Sequence, residues 1–541
     1  MPITRAVRET AEQHPDRLAI VGDDESLTYR QLVADSRRVF AVVDAAHRAQ
    51  TAPPTPAPET GGIPITAVSL SDAFHTARIV AALAGYRAVS ATLDPQWPLD
   101  HRVRVIVSTG IGVVVSDSPD LRRALADGGW TGTVLTLDEF RSREDAVEAD
   151  DATAPEPTVR ADDEAFLLLF SSGTTSDPKA FLKTRRQYRA NVAVSAAHLE
   201  PLPGVATLAP GPLSYSLTLY ALIECLATGG SAHLADAFDP VRMAARIPAE
   251  SITRIVAVPA VVRALTDAAR RDPLRFAGLD LVVTGGANLP AAIRDGLGEV
   301  LPHVRLISYY GAAEIGFIGD SRDGDGTLIT LYDGILARIR DDDGRDVPDG
   351  ELGTLWIHAE AASDGYLAAT TGAVLRDDDG WATVHDQARI VDGRLHLAGR
   401  AGDIVVTGGH KVSLPDVERA FADAPGVGAV CAVSLPDEDL GRIVALVVEP
   451  AAAAPGGVAT PSRTRSTAAT PAPAPAPSPA PDQPATLPDK TSLRAWARGR
   501  LAPQFVPRQW YVLPRLPRTA GGKIRRIETA ERILAGEGVR L

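Results

Sequence analysis

Cysteine is nearly absent from this chain. Cys225 and Cys431 are the only two in 541 residues, far apart and in no CxxC pair. That excludes a disulfide framework or a zinc cluster and suits a reducing compartment. Long apolar runs are missing as well: no stretch approaches the roughly 18–20 apolar residues that span a bilayer. The opening MPITRAVRETAEQHPDR lacks the apolar core of a secretory signal. Positive charge is not in excess either. With 55 Lys+Arg against 68 Asp+Glu the net charge is −13, which argues against general nucleic-acid affinity. No internal repeat is present. The expectation is a soluble, cytoplasmic protein with no membrane and no nucleic acid among its partners.

What the chain does have is length, ample to bury a core without disulfide or metal staples. Its 46 glycines and 42 prolines point to long ordered loops and some linker. The segment LAIVGDDESLTYRQLVADSRRVFAVV reads as strand, turn and amphipathic helix. Apolar runs then alternate with helical stretches: ITAVSL, GIGVVVSD, GTVLTL, AFLLLF, ITRIVAVP, LDLVVTGG and VRLISYYG. Short buried strands separated by helices are the pattern of parallel α/β layers. From about residue 325 the pattern shifts to short strand-turn units such as GTLITLYDG and GELGTLWIH, and after Gly399 to an α+β module. The fold class expected is therefore α/β. A large N-terminal domain (1–399) combines layered α/β subdomains with a β-rich subdomain, and a small α+β domain (400–541) follows.

Residues 451–488 break every pattern. Ala and Pro fill 22 of these 38 positions, a composition that favours extended polyproline II and cannot bury enough to fold alone. The tract reads as a linker inside the C-terminal domain. Beyond it, residues 489–541 hold 12 Lys+Arg against 4 Asp+Glu. Such a skew makes a solvated basic face and also suits a polyanionic substrate.

The most informative stretch is Phe170-Ser171-Ser172-Gly173-Thr174-Thr175-Ser176-Asp177-Pro178-Lys179, directly after the apolar AFLLLF. A strand running into a small, hydroxyl-rich loop that ends in lysine has the makings of a phosphate cradle. Glycine lets the backbone approach, hydroxyls and amides donate, and the lysine supplies charge. A Walker A loop would need Gly-Lys-Ser/Thr where this chain has Pro178-Lys179-Ala180. A Ser/Thr/Gly loop by itself is an ordinary turn; the whole string is far more specific.

In that string the chain resembles the adenylate-forming superfamily of acyl- and aryl-CoA ligases, peptide-synthetase adenylation domains and luciferases. Further strings recur in the superfamily's order. Tyr309-Tyr310-Gly311-Ala312-Ala313-Glu314 is similar to Y-G-x-T-E, and Asp386 stands where the aspartate of T-G-D is found. Gly399-Arg400-Ala401-Gly402-Asp403 resembles G-R-x-x-D, and Gly408-Gly409-His410-Lys411-Val412 fits the loop after it. Pro517-Arg518-Thr519-Ala520-Gly521-Gly522-Lys523 resembles the terminal P-R-T-x-x-G-K. The resemblance implies ATP and Mg²⁺ as cofactors and a small carboxylic acid as substrate. Coenzyme A or the phosphopantetheine of an acyl carrier protein would accept the acyl group.

The implied roles follow residue by residue. Ser171, Ser172, Gly173, Thr174, Thr175 and Lys179 would hold phosphates. Glu314, with Thr174, would bind Mg²⁺. Gly285, Gly286, Ala287 and the Tyr309–Ala313 string would border the nucleotide. Asp386 would accept the ribose hydroxyls, and Arg400 would contact ribose or phosphate. Lys523 would meet charge developing at the α-phosphate, and Asp403 would act as hinge for a mobile C-terminal lid. Departures from the pattern are Ser176 and Ala180 for loop glycines, Ala313 for threonine, and His385 for the glycine before the ribose aspartate.

For the acid, Tyr215 falls at the superfamily's aromatic or histidine gate. Ser216 falls where amino-acid-activating domains carry an aspartate for the α-ammonium. A hydroxyl cannot compensate a buried cation, so the expectation leans away from α-amino acids. Gly286, Tyr309 and Phe317 suggest an aromatic-lined slot for an aryl or medium acyl acid, such as a hydroxylated or amino-substituted benzoate. Two alternatives stay open: transfer to a non-thiol amine or hydroxyl, and a catalytically degenerate nucleotide-binding regulator.

Overall fold

A computed structural model describes residues 3–148, 155–171, 179–287, 289–322, 326–407, 410–437, 441–451, 489–498, 500–501, 505–519 and 522–541. The chain divides into two compact units, Met1–Ala398 and Gly399–Leu541. The Ala/Pro tract beyond Ala451, Ser172–Pro178, Asn288, Gly408–Gly409 and Ala520–Gly521 lie outside the described residues.

The first unit contains two sheets. One has six strands, ordered Thr133–Leu135, Val113–Val115, Ile65–Val68, Val89–Thr92, Ala165–Phe170 and Ala180–Thr184, parallel except for the last pairing. The strands Ile65–Val68, Val89–Thr92 and Val113–Val115 are buried at every position, as parallel strands covered on both faces must be. The other sheet has thirteen strands. Its parallel part runs Leu18–Val21, Ser231–Leu234, Ala206–Ala209, Arg254–Ala257, Leu281–Thr284 and Arg305–Ala312. Beyond Arg305–Ala312 the pairing turns antiparallel. The β-rich segment joins there through Leu328–Leu331, which pairs with both Gly316–Ser321 and Arg394–Arg400.

Helix Ala73–Leu83 is buried at all of its positions and packs on strands of both sheets, Leu18–Val21 and Val89–Thr92. A helix with no wet face belongs between two layers, and its one arginine, Arg78, is buried against Asp35 and Glu144. Helix Tyr29–Arg48 begins at a capping box, in which the Thr28 hydroxyl accepts from Gln31 N and the Gln31 side chain accepts from Thr28 N.

The second unit holds the antiparallel pair Ile404–Thr407 and His410–Ser413 and a four-stranded sheet of Val427–Asp437, Gly441–Pro450, Gln509–Val512 and Val539–Arg540. Its core centres on Trp510, fully buried and edge-on to Phe421 with 5.4 Å between ring centroids. Among the described residues no helix is long and apolar enough to cross a membrane.

Candidate functional site

Strands Ala165–Phe170 and Ala180–Thr184 form an antiparallel hairpin whose tip is the Ser171–Lys179 loop. The loop closes on itself at both ends. Ser171 N donates to Lys179 O at 2.9 Å, and Lys179 N donates to Ser171 Oγ at 3.2 Å. Ser172, Gly173, Thr174 and Thr175 fall in the undescribed part of the loop. Its base is held by a segment far along the chain: Leu367 N donates to Ala180 O at 2.7 Å, and Phe181 bridges to Tyr366.

That segment assembles the charged part of the site. The Lys179 ammonium sits 5.1 Å from the centroid of the Tyr366 ring, a cation–π distance. Tyr366 Oη donates to Glu314 Oε1 at 3.1 Å, and Glu314 is buried. Tyr310 Oη donates to Asp386 Oδ2 at 2.5 Å, so the aspartate expected to read a ribose is already oriented from the neighbouring hairpin. The structure thus joins Lys179 and Glu314 through Tyr366, and separately pairs Tyr310 with Asp386. Tyr366, which links two of them, carries no local sequence signal.

Among the described residues no cluster of three or more His, Cys, Asp or Glu side chains is built to hold a metal. One oriented carboxylate, Glu314, nonetheless fits Mg²⁺, which keeps waters and substrate phosphate oxygens as its remaining ligands.

His385 stands at φ +62°, a left-handed conformation that costs a residue with a Cβ about 1–2 kcal/mol. A glycine would adopt the same conformation without that cost. Desolvation and then the Lys179 ammonium lower the imidazole pKa, with the Asp386 carboxylate opposing. His385 N is tied to Thr383 Oγ1 at 3.0 Å. His385→Gly is expected to raise the unfolding free energy by about 1 kcal/mol, the strain less the extra chain entropy of glycine. Chemical denaturation of the two proteins checks this. A less stable glycine variant would mean that imidazole contacts outweigh the strain.

The apolar part of the site lies at the C-terminal ends of the parallel strands, where open α/β sheets place their ligands. Leu281–Thr284 and Arg305–Ala312 are parallel with Thr284 opposite Ser308, which sets Gly285-Gly286-Ala287 beside Tyr309. A Cβ on Gly285 would lie 2.4 Å from the Tyr309 ring, so only glycine permits this approach, and Gly286 follows at φ +78°. Tyr309 meets Phe317 edge-on at 4.9 Å, and Phe317 leans on Tyr220 at 5.6 Å. Phe317 is fixed through its own N–H, which donates to Asn191 Oδ1 at 2.9 Å.

Tyr220 was not singled out in the sequence, yet it lies one turn beyond Ser216 in helix Ser216–Thr228 and so shares its face. Its hydroxyl donates to Ala313 O at 2.9 Å. One turn further, Glu224 is buried against Arg254 at 2.7 Å. Tyr215 precedes the helix, 36% exposed. Desolvation and a hydrogen bond with Asp94 raise its pKa.

Arg400, Asp403 and Lys523 belong to the second unit. Arg400 ends strand Arg394–Arg400, and its side chain is outside the described positions. Asp403 ends a 3₁₀ turn, Ala401–Asp403. Its Oδ1 accepts from Arg526 Nε at 2.7 Å, while Arg526 also pairs with Glu418 and donates to Ala432 O at 2.8 Å. The domain-junction aspartate is therefore tied to the helix Arg526–Leu534. Lys523 sits on a tight turn just ahead of that helix. Thr519 N donates to Lys523 O at 2.8 Å, Lys523 N donates to Thr519 Oγ1 at 3.1 Å, and the side chain is exposed.

Comparison with known proteins adds an independent finding. The family model described as AMP-binding enzyme matches residues 67–367. A salicylyl-CoA synthase / salicylate adenylyltransferase of a Streptomyces species is 30% identical over 481 residues, covering 83% of this chain and 84% of the relative. An uncharacterized acyl-CoA ligase of Bacillus subtilis (strain 168) is 25% identical over 535 residues, 97% of each chain. Among solved structures, ATP-bound MatB from Rhodopseudomonas palustris superposes with a TM-score of 0.80 at 21% identity, over 98% of each chain.

Proposed function

Because this chain belongs to the family of AMP-binding enzymes, we propose that its site joins ATP to an aryl acid bearing a hydroxyl or amino group. Pyrophosphate leaves, and the acyl group passes to the thiol of coenzyme A. The chain is an adenylate-forming ligase of the acid–thiol type; the acid, the acceptor and the residue roles are our reading.

The observation that carries the choice of acid is the contact of Tyr309 with Gly285 on one side and Phe317 on the other, with Tyr220 behind. Aromatic side chains bordering a site favour a planar ring over a long flexible chain. Two deep polar atoms favour a donor on that ring. Glu224 Oε2 and Tyr188 Oη are both buried with no hydrogen-bond partner among the described residues, and both belong to residues in contact with this aromatic cluster or on its helix. A buried acceptor left unmet is costly. The salicylyl-CoA synthase among the relatives supports the same direction for the acid and for coenzyme A.

In the proposed reaction, Lys179 and the loop it closes hold the β- and γ-phosphates, and Asp386, oriented by Tyr310, accepts from the ribose hydroxyls. Glu314 would hold Mg²⁺, which neutralises ATP oxygens when bound. Lys523 meets the charge that develops as the carboxylate attacks the α-phosphorus. Residues 1–398 then act as the adenylation domain and 399–541 as a lid that turns at Asp403. An ATP–pyrophosphate exchange screen over benzoates, fatty acids and α-amino acids tests the reading. Hydroxy- and aminobenzoates are expected to lead, followed by thioester formation with coenzyme A but not with a carrier protein. Highest exchange with an α-amino acid or a long-chain fatty acid would overturn it.

A further inference from the structure

Lys183 lies in the strand Ala180–Thr184, on the hairpin that carries the phosphate loop, and is only 2% exposed. An ammonium taken out of water is expensive unless its donors are met. Here they are met by main-chain carbonyls rather than by a carboxylate: Nζ donates to Glu314 O at 2.7 Å and to Ala361 O at 2.6 Å. These acceptors lie 131 and 178 residues away in the chain. Glu314 O receives a second donor, Ser363 N, at 2.8 Å, so the turn bearing Glu314 is gripped from two sides. Ser363 Oγ in turn donates to Leu182 O at 2.9 Å, closing the circuit back onto the hairpin. Tyr366, three residues on, reaches Glu314 Oε1.

Three separate segments therefore converge on one buried ammonium: the phosphate-loop hairpin, the Glu314 turn and the 361–366 segment. We propose that Lys183 is a positioning residue that fixes the Glu314 carboxylate relative to the phosphate loop, and so sets how strongly Mg²⁺ assists ATP binding. The proposal rests on the reading of Glu314 as the magnesium ligand. Lys183 itself touches neither nucleotide nor metal in this account. It holds the main chain of the residue that does, as partners behind a metal ligand commonly do.

The test needs no knowledge of the acid. ATP is titrated into the full-length protein by calorimetry at a series of MgCl₂ concentrations, for the wild type, Lys183→Met, Lys183→Arg and Glu314→Gln. Lys183→Met is expected to shrink the magnesium-dependent gain in ATP affinity by roughly 10-fold, the lower end of the usual effect of such partners. ATP affinity without magnesium should stay within about twofold of the wild type, since the phosphate-binding groups are untouched. A merely structural role would weaken both. Lys183→Arg, which keeps donors for two carbonyls, should restore most of the gain. Should Lys183→Met not yield folded protein, Lys183→Gln decides in its place, because it removes the charge and its amide nitrogen ends one bond short of the ammonium. A folded Met or Gln variant with the wild-type magnesium gain, alongside Glu314→Gln that has lost it, overturns the proposal while sparing the reading of Glu314. Glu314→Gln with its gain intact removes both.

Discussion

In Lys523→Ala, ATP–pyrophosphate exchange is expected to fall by about 10²–10³-fold, the usual loss when one preorganised donor to a developing charge is removed. ATP binding should be nearly unchanged. Lys523 is exposed on a turn closed by main-chain hydrogen bonds and by Thr519 Oγ1, none of which involves the ammonium. The loss should appear in the rate, because the charge is called on only as the transition state forms. Exchange measured with the best acid of the screen, together with ATP affinity by calorimetry, separates the two. Exchange within a few-fold of the wild type would remove Lys523 from the adenylation step. A parallel loss of ATP affinity would instead give it a ground-state role.

Asp386→Ala is expected to weaken ATP binding by roughly 1.5–3 kcal/mol, the range for hydrogen bonds to a charged acceptor, which is about 10- to 150-fold in dissociation constant. On the proposed reading the ribose hydroxyls would lose their acceptor, and Tyr310 loses the carboxylate to which it donates at 2.5 Å. Tyr310→Phe separates these contributions. It keeps the carboxylate and removes only the Tyr310 hydrogen bond, so its effect should be smaller and in the same direction. Equilibrium titration of ATP into the three proteins is the measurement. If Asp386→Ala bound ATP like the wild type, the histidine at φ +62° ahead of it would have moved the carboxylate out of the nucleotide's reach.

Much of this protein was determined by local sequence. The α/β class followed from buried apolar runs separated by helical periodicity, because a strand covered on both faces needs apolar residues throughout its own length, as at Ile65–Val68. The family followed from strings such as Tyr309–Glu314 and Pro517–Lys523, whose spacing is set by single turns and loops. Tertiary structure alone decided how those strings work together. Tyr310 reaches Asp386 across 76 residues, Tyr366 reaches Glu314 across 52, and Lys183 reaches Glu314 across 131. No periodicity encodes such pairings, because they depend on which strands become neighbours. Lys183 shows the difference most plainly. In the run AFLK a lysine reads as the wet end of a strand, since an isolated ammonium belongs in water. It is buried because two turns far along the chain bring carbonyl oxygens to it. Tyr220 was only half hidden: its helical spacing places it on the same helix face as Ser216, but its contact with Phe317 exists only once the Gly316–Ser321 strand has paired beside Arg305–Ala312.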